Sequence, residues 1–448
     1  MSRAIYFVFS ALTALALGAC SGPSQNHYAG PLPAIDSPAS SSGQYISHVI
    51  IVVQENRSFD NLFATYPGAD GTTKGLLNDG TYINLKARNL ESALTLDNSW
   101  PAFVIDYDGG KMDGFNLVWV NEHRCTCAYQ YVKPSKIKPY WSMAKQYALA
   151  DHMFPTEASG SFTAHQDLIR GSTALNSYES LVDFPTDGPW GCDAPPGVTT
   201  SLLTSSQQYL QNQGPYPCFT WQTMRDLLDA QGVSWKYYTP NIKTHGGDIW
   251  NAFDAVQQVR DGSEWTKNIS SPETNIFSDI SSNALPAVSW VIPDGQNSDH
   301  PAQQLWGIHK DTGPSWVAQI VNAVGQSSYW NSSAIVVVWD DWGGFYDHVS
   351  PPQLDYTGLG FRVPMLVVSP YAKPGYVSHT QYEFGSILKF VEQTFNLGSL
   401  GTTDARATSI SDVFNFGQHR IKFKPITAEF SKSYFEHERP SNMPVDTR

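Results

Sequence analysis

The chain has 448 residues, of which 41% are hydrophobic and 15% charged, and its formal net charge is −13. The length accommodates one large α/β domain or two smaller ones. The acidity argues against a nucleic-acid backbone as a partner, but it does not exclude an anionic substrate, because a bound metal ion inverts the local field.

The first residues are typical of an export signal. Arg3 supplies a short positive segment, and the apolar run over 5–17 is too short to span a membrane. The run ends in LGAC (17–20), which resembles a bacterial lipobox. We therefore expect cleavage of residues 1–19, lipidation of Cys20 and a lipoprotein held at a membrane surface of the bacterial cell envelope or periplasm. The alternative is a plain secretory signal with an incidental cysteine.

A tether and one folded domain are expected after the signal. Residues 20–44 are rich in Ser, Pro and Gly, which predicts a flexible segment, and the folded domain is expected over 45–448. Four cysteines in an exported protein predict up to two disulfides. They are Cys125, Cys127, Cys192 and Cys218. A bridge between the last two encloses a loop-rich segment, whereas a bridge between the first two would be strained, so crossed pairing is the alternative.

The folded part opens with the stretch HVIIVVQENRSFD, residues 48–60. Its five consecutive β-branched residues, 49–53, predict a strand that is buried on both faces. Polar residues at the carboxyl end of such a strand lie where open α/β sheets bind their ligands. Glu55 and Asn56 are therefore candidates for chemistry, and the alternative is an ordinary strand-to-loop transition with a solvated carboxylate.

A second candidate stretch follows a helix and short strand predicted over 139–153. Residues 154–165 (FPTEASGSFTAH) predict a small-residue loop that leads into a helix through 166–170. A hydroxyl at such a turn suits a nucleophile, because a helix N-terminus favours negative charge on the attacked group. The hydroxyl side chains of this loop are Ser159, Ser161 and Thr163. The alternative is that the hydroxyl is an N-cap.

Strands and helices alternate along the rest of the chain. Helices are predicted over 223–230 and 248–260, from Pro314 onward and over 383–395, and strands over 233–238, 286–293, 334–339 and 363–369. Such alternation is typical of one α/β sheet with helices on both faces.

Acidic residues follow three of the predicted strands. They are Glu55, then Asp294 and Asp299, then Asp340 and Asp341. The adjacent pair repels unless a cation offsets it. Carboxylates with a serine oxygen suit Mg²⁺, Mn²⁺ or Ca²⁺, and a histidine in the set would favour zinc. Because a metal-bound serine is a strong nucleophile toward phosphorus, the pattern indicates phosphoryl transfer; the alternative is a solvated acidic rim.

Six segments carry a family resemblance. They are HVIIVVQENRSFDNLF, DGGKMDGF, DHMFPTEASGSFTAHQ, SDHP, VVVWDDWGGFYDHVSPP and VPMLVVSPYAKPGYVSHTQYEFGSILKFVEQTF, in this order over roughly residues 45–400. The ENRSFD and DDWGGFYDHV blocks are the most specific. Together the segments resemble the bacterial phosphoesterase family, which includes phospholipases C and secreted acid phosphatases and is related to the alkaline phosphatase superfamily.

The resemblance implies a fold, a metal and a set of site residues. The fold would be an alkaline phosphatase-like three-layer α/β/α sandwich with a largely parallel central sheet and loop-rich insertions. Ser161 falls at the nucleophile position. A divalent metal (Mg²⁺, Mn²⁺, Ca²⁺ or Zn²⁺) would be held by Glu55, Ser161, Asp340 and Asp341. The residues that match contacts to the substrate phosphate are Asn56, His300 and His245.

The chain departs from the family pattern at two places. Asn98 stands where many members carry a histidine, which leaves one general-acid or phosphate contact open. The residues after Ser161 are FTAH, without the Pro-Asn of phospholipase-like members. The second departure leaves the substrate preference less defined.

The function expected from these observations is metal-dependent hydrolysis of a phosphate ester, of the phospholipase C type, with Ser161 as nucleophile and a phospholipid or other phosphate ester as substrate. The alternatives are an acid phosphatase acting on phosphomonoesters and a non-catalytic binding module at the cell surface. A Ser-His-Asp lipase is disfavoured because Ser161 lies in SGSFT rather than in G-x-S-x-G.

Overall fold

The structure is a computed structural model that describes residues 41–91, 94–120, 122–243, 249–301 and 310–439. All of them fall within the unit Ser40–Arg448. The predicted signal segment, Cys20, most of the tether and His245 lie outside the described residues, so their assignments stay predictions. Within the described ranges, no helix combines the length and the apolar character needed to cross a bilayer.

The strands, in chain order, have the following bounds. They are β1 (His48–Gln54), β2 (Lys74–Leu76), β3 (Tyr82–Asn84), β4 (Lys86–Arg88), β5 (Trp119–Val120), β6 (His123–Arg124), β7 (Gln130–Val132), β8 (Ala148–Phe154), β9 (Ala174–Asn176), β10 (Glu179–Val182), β11 (Ser201–Thr204), β12 (Tyr209–Leu210), β13 (Trp235–Tyr238), β14 (Ile269–Ser270), β15 (Val288–Val291), β16 (Ser333–Trp339), β17 (Val363–Val368), β18 (Tyr376–Ser378) and β19 (Tyr382–Glu383).

The α-helices are fewer and mostly short. They are α1 (Phe59–Phe63), α2 (Trp100–Tyr107), α3 (Lys138–Gln146), α4 (Ser161–Arg170), α5 (Met224–Ala230), α6 (Gln257–Arg260), α7 (Glu264–Lys267), α8 (Asn275–Ser281), α9 (Gly313–Gly325), α10 (Phe384–Phe395), α11 (Thr403–Arg406) and α12 (Lys432–His437). Short 3-10 helices cover Ser41–Gln44, Asp108–Gly110, Ala252–Ala255, Ser328–Ser332 and Ile410–Val413. The first of these packs on α10, so the folded part reaches four residues before the predicted boundary at 45.

The principal sheet has the strand order β14-β13-β15-β1-β16-β17-β8-β18, with β19 also paired to β8. The five strands from β14 to β16 are mutually parallel, and β17 is antiparallel to both β16 and β8. As a result β8 runs in the same direction as β1 and β16. The carboxyl ends of β1, β15, β16 and β8 therefore meet at one edge of the sheet, which is where ligands bind in open α/β folds.

Helices pack on the sheet in two groups. Helices α8 and α9 pack together with α3, and α9 and α3 contact β16 and β17. Helices α4 and α10 pack together in the second group, and the Trp290 indole of β15 donates a 3.1 Å hydrogen bond to the Leu168 carbonyl in α4. The prediction of a layered α/β fold with a largely parallel central sheet is confirmed.

The central strand β1 shows why the sequence folds this way. Residues 49–53 are fully buried, as a β-branched run between two parallel neighbours requires. β1 pairs with β16 over its whole length, from His48 opposite Ser333 to Gln54 opposite Trp339. This register brings the residues that follow the two strands side by side, at the same height on the sheet edge.

The helix predicted over 248–260 is wrong in its described part. Residues 252–255 form a 3-10 turn, Val256 is extended and forms an isolated bridge with Phe219, and helix α6 begins only at Gln257. Both Phe253 and Val256 are buried in the core. The segment is therefore apolar on several sides and follows the core surface, whereas a surface helix would have a single apolar stripe.

Each of the four cysteines in the folded part is bonded to the cysteine nearest to it along the chain. Cys125 is bonded to Cys127, and Cys192 is bonded to Cys218. The crossed alternative does not occur. The second bridge closes the Gly- and Pro-rich loop predicted between its two cysteines.

Candidate active site

Two adjacent strand ends supply the acidic residues of the site. Glu55 and Asn56 follow β1, and Asp340 and Asp341 follow β16. The three carboxylate side chains are fully buried, and Asn56 is 2% exposed. The predicted convergence of these four residues is therefore observed, and the alternative of a solvated acidic rim is excluded by their burial.

The two strand-end turns are locked to each other by backbone geometry. Asn56 has a left-handed conformation, with φ of 57°, which asparagine tolerates better than most residues. Its backbone N–H donates a 2.7 Å hydrogen bond to Asp340 Oδ1. Gly343 also has a positive φ, of 60°, and a Cβ atom there would lie 2.1 Å from the Asn56 carbonyl oxygen. Only glycine fits this close approach.

Ser161 faces the acidic turn from helix α4. It is the first residue of the helix, and its Oγ donates to Asp341 Oδ2 at 3.1 Å. The N-cap position is taken by Gly160, so the alternative that Ser161 is a capping residue is wrong. The Asn56 side-chain amide lies 3.5 Å from Ser161 Oγ and donates to both Asp341 oxygens at 3.2 Å.

The other hydroxyl candidates of the loop have structural partners. The Ser159 Oγ accepts a 2.6 Å hydrogen bond from the Asp183 backbone N–H. The Thr163 hydroxyl donates to the Gly160 carbonyl at 3.0 Å. Of the three candidates, Ser161 is the one whose hydroxyl contacts the acidic cluster.

Asn98 belongs to the site itself. It is 3% exposed, and its amide nitrogen donates to both oxygens of Asp341 at 2.9 Å. The Gly343 backbone N–H donates to Asp341 Oδ1 at 2.6 Å. Asp341 is thus oriented by neutral donors on several sides while one of its oxygens accepts from Ser161.

His165 joins the site although the sequence analysis gave it no role. Its Nε2 lies 3.0 Å from Glu55 Oε1 and 4.0 Å from Asp340 Oδ2. The available signal was its spacing: His165 is four residues after Ser161, and side chains four apart lie on the same face of a helix. One turn of α4 therefore presents both a hydroxyl and an imidazole to the acids.

Glu55, His165 and Asp340 form a group that could hold a metal ion. One ligand atom from each lies within 4.8 Å of the others, and all three residues are buried. Several of their polar atoms have no hydrogen-bond partner among the described residues: Glu55 Oε2, His165 Nδ1 and Asp340 Oδ2. Buried polar atoms without partners are costly, so the donor set fits a divalent cation.

The electrostatics of the cluster point the same way. Burial and repulsion from Asp340 raise the pKa of Glu55 well above its ordinary value. Burial, together with repulsion from Asp340, likewise raises the pKa of Asp341. Burial lowers the pKa of His165 to about 4, so the imidazole is neutral near pH 7 and does not compensate the acids. A bound cation would supply the missing positive charge.

The remaining predicted site residues lie outside this cluster or outside the described residues. His300 is buried, its Nδ1 lies 2.7 Å from the Pro301 carbonyl, and its ring centroid is 5.9 Å from that of Trp250. Trp250 in turn stacks on His165 at 6.5 Å. A role for His300 toward substrate stays a prediction, and the same holds for His245, which falls in the undescribed range 244–248.

Asp299, one of the strand-end acids, has a structural role. Its Oδ2 accepts from the Tyr140 hydroxyl at 2.8 Å and from the Trp339 indole at 3.0 Å. Its backbone carbonyl accepts from Arg57 Nε at 2.7 Å. These bonds connect the loop after β15 to α3 and to the ends of β1 and β16. They hold the strand ends that carry the site in place.

Comparison with known proteins gives concordant matches. The model of the Phosphoesterase family matches residues 46–398. A non-hemolytic phospholipase C of Pseudomonas aeruginosa is 26% identical over 427 residues, which is 83% of this chain and 57% of that protein. A phospholipase C B of Mycobacterium tuberculosis is 26% identical over 441 residues, which is 85% of this chain and 80% of that protein.

A match among solved structures is more distant. A protein of the alkaline phosphatase superfamily from Vibrio parahaemolyticus has a TM-score of 0.36 and 9% identity, over 82% of this chain and 72% of that chain. The chain spans little more than half the length of the Pseudomonas relative. Because the family model covers most of the sequence, with the acidic cluster and Ser161 inside the matched range, the chain belongs to the phosphoesterase family.

Proposed function

We propose that the protein is a metal-dependent hydrolase of phosphate diesters, of the phospholipase C type, with Ser161 as nucleophile. The observation that carries the proposal is the 3.1 Å contact of the Ser161 hydroxyl with Asp341, beside the buried acids Glu55 and Asp340. The names of the two phospholipase C relatives support the choice of a phospholipid substrate. The predicted lipid anchor at Cys20 would hold such an enzyme at a lipid surface.

The metal ligands we propose are Glu55, Ser161, Asp340 and Asp341, with His165 added from its contact with Glu55. The ion, when bound, supplies Lewis-acid charge that favours the alkoxide form of serine and polarises the phosphate. Carboxylate and hydroxyl oxygens suit Mg²⁺, Mn²⁺ or Ca²⁺, and an imidazole donor extends the range to Zn²⁺.

Proton and bond changes follow from the position of Asp341. Ser161 Oγ passes its proton to Asp341 Oδ2, the group that already accepts its hydrogen bond. The oxygen attacks phosphorus in line, the new Oγ–P bond forms, and the P–O bond to the glycerol breaks while the glycerol oxygen takes a proton from solvent. Water then attacks the phosphoserine and gives up one proton to solvent while the Oγ–P bond breaks. Asp341 returns the proton that it took to Ser161 Oγ, and the phosphorylated headgroup leaves.

Negative charge on the phosphoryl oxygens is stabilised by donors of the chain. The Asn56 side-chain amide, 3.5 Å from Ser161 Oγ, is positioned to donate to an oxygen on the attacked phosphorus. The N-terminus of α4, which begins at Ser161, adds the partial positive charge of its free N–H groups. Asn98 orients Asp341 through its two 2.9 Å bonds; an amide does not act as the general acid that a histidine there would provide.

Replacing the nucleophile tests the proposal directly. Ser161→Ala should lower the rate of p-nitrophenylphosphorylcholine hydrolysis by about 10³-fold or more, because the covalent step is lost. The exposed Ser278→Ala on α8 is the matched control and should retain the rate. Faster turnover of p-nitrophenyl phosphate than of the diester would instead favour the acid phosphatase alternative. A folded, metal-supplied protein that hydrolyses neither ester would contradict any catalytic role.

Metal should stabilise the protein more at about pH 8 than at about pH 5.5. The raised pKa values of Glu55 and Asp341 mean that the metal-free fold keeps protons there that the unfolded chain releases, so its stability falls as pH rises through those values. A cation replaces these protons. The melting temperature of EDTA-treated protein, measured with and without added Mn²⁺ or Zn²⁺ at both pH values, checks this; a gain that does not depend on pH would contradict it.

A methyl group at Gly343 should displace the Asn56 turn, and activity is compared on protein that circular dichroism shows to be folded. The added Cβ would clash with the Asn56 carbonyl at 2.1 Å, and we expect Gly343→Ala to lower kcat by about 10²-fold, the cost of a displacement near 1 Å. Gly398→Ala is the control, because no atom lies within 4 Å of a Cβ there. Equal activity of the two variants would show that the Asn56 turn does not position a catalytic group.

A further inference from the structure

A second group of side chains that could hold a metal ion is centred on β8 and shares no residue with the cluster around Ser161. It consists of Asp151 and His152 on β8 and His379, which directly follows β18. One ligand atom from each lies within 4.8 Å of the others. None of the three residues takes part in the proposed mechanism.

The Asp151 carboxylate stands between the two imidazoles. It is fully buried, with Oδ1 2.9 Å from His152 Nδ1 and Oδ2 2.8 Å from His379 Nδ1. The ring centroids of the two histidines are 6.4 Å apart, and their planes are inclined by 76°. Two ring nitrogens thus lie on either side of one carboxylate, one from β8 and one from the segment that follows β18.

The second ring nitrogen of His152 faces another carboxylate. This nitrogen, Nε2, lies 3.4 Å from Asp70 Oδ2. A carboxylate on the far nitrogen is the usual outer partner of a metal-bound imidazole, because it keeps the proton there and leaves the near nitrogen free to coordinate. The Asp70 backbone N–H also donates to Asp151 Oδ2 at 2.8 Å, which fixes the carboxylate.

Solvent reaches this cluster. The side chains of His379 and Asp70 are 59% and 45% exposed, and that of His152 is 23% exposed. A metal ion could therefore enter and exchange without unfolding of the chain. In the catalytic cluster, by contrast, Glu55 and Asp340 are fully buried.

In a neighbouring cluster, an arginine side chain balances the negative charge of the acids. Asp60, Asp347 and His348 also converge, but the Arg362 guanidinium donates to Asp347 at 2.8 Å and lies 3.6 Å from Asp60. The positive charge of Arg362 therefore compensates the carboxylates of Asp60 and Asp347. Arg362 also donates a 2.9 Å hydrogen bond to Asp151, but to its backbone carbonyl oxygen, and it lies 3.8 Å from Asp70 Oδ2.

We propose that Asp151, His152 and His379 form a second, exchangeable site for a transition metal ion of the Zn²⁺ class, with an open position toward solvent. Two imidazole nitrogens with one carboxylate oxygen select Zn²⁺, Co²⁺ or Ni²⁺ over Mg²⁺ and Ca²⁺. The ion would join β8 to the segment after β18, the strand at the edge of the principal sheet. The ion stabilises the packing of this edge of the sheet and takes no part in the hydrolysis.

The experiment counts zinc on the untagged full-length chain. Metal-stripped protein is dialysed against a slight excess of Zn²⁺, and bound zinc is measured by elemental analysis. His379→Ala should hold one zinc fewer per chain than the unaltered protein, and its ester hydrolysis should be unchanged. The control His437→Ala removes an exposed histidine of α12, outside the cluster, and should hold as much zinc as the unaltered protein.

A second pair of variants separates this site from the catalytic one. Asp340→Asn should lose the catalytic zinc, and the double variant with His379→Ala should lose one more. His379→Asn serves if the alanine variant fails to fold, as judged by circular dichroism. Equal zinc content in the unaltered protein and the His379 variants would overturn the proposal, whatever the state of the catalytic site.

Discussion

Three carboxylates buried at adjacent strand ends impose the constraint on which the site depends. Glu55, Asp340 and Asp341 have no exposed surface, and burial with mutual repulsion raises the pKa values of Glu55 and Asp341. The nearby imidazole of His165 is neutral near pH 7 because burial lowers its pKa to about 4. A cation bound among these acids would offset their repulsion and thereby stabilise the fold.

The sheet determines how closely the acids approach. Full-length parallel pairing of β1 with β16 sets their ends side by side. The left-handed Asn56 and the close approach of Gly343 then turn the two chains so that backbone N–H groups donate to Asp340 and Asp341. Helix α4 adds Ser161 and His165 from one of its faces. The same geometry thus concentrates negative charge and points a hydroxyl at it.

Much of this could be predicted from the sequence, because strand ends in α/β sheets converge and because Asp340 and Asp341 are adjacent. The resemblance placed Asn98 at a site position, but its contact with Asp341 could not be predicted, since a loop asparagine has no periodic signal. His165 was missed although its spacing from Ser161 is helical, because the helix was predicted to begin only near Gln166. The antiparallel direction of β17 also escaped prediction, because a fully buried strand is apolar in either direction.

The metal site and the nucleophile are tested together by a crystal structure of the protein grown with Mn²⁺ or Zn²⁺ and orthovanadate, with anomalous data collected at the metal edge. We expect an anomalous peak in contact with Glu55, Asp340 and His165, and a vanadium atom bonded to Ser161 Oγ. A vanadate held away from Ser161, or acids with no metal peak between them at saturating metal, would contradict the proposed site.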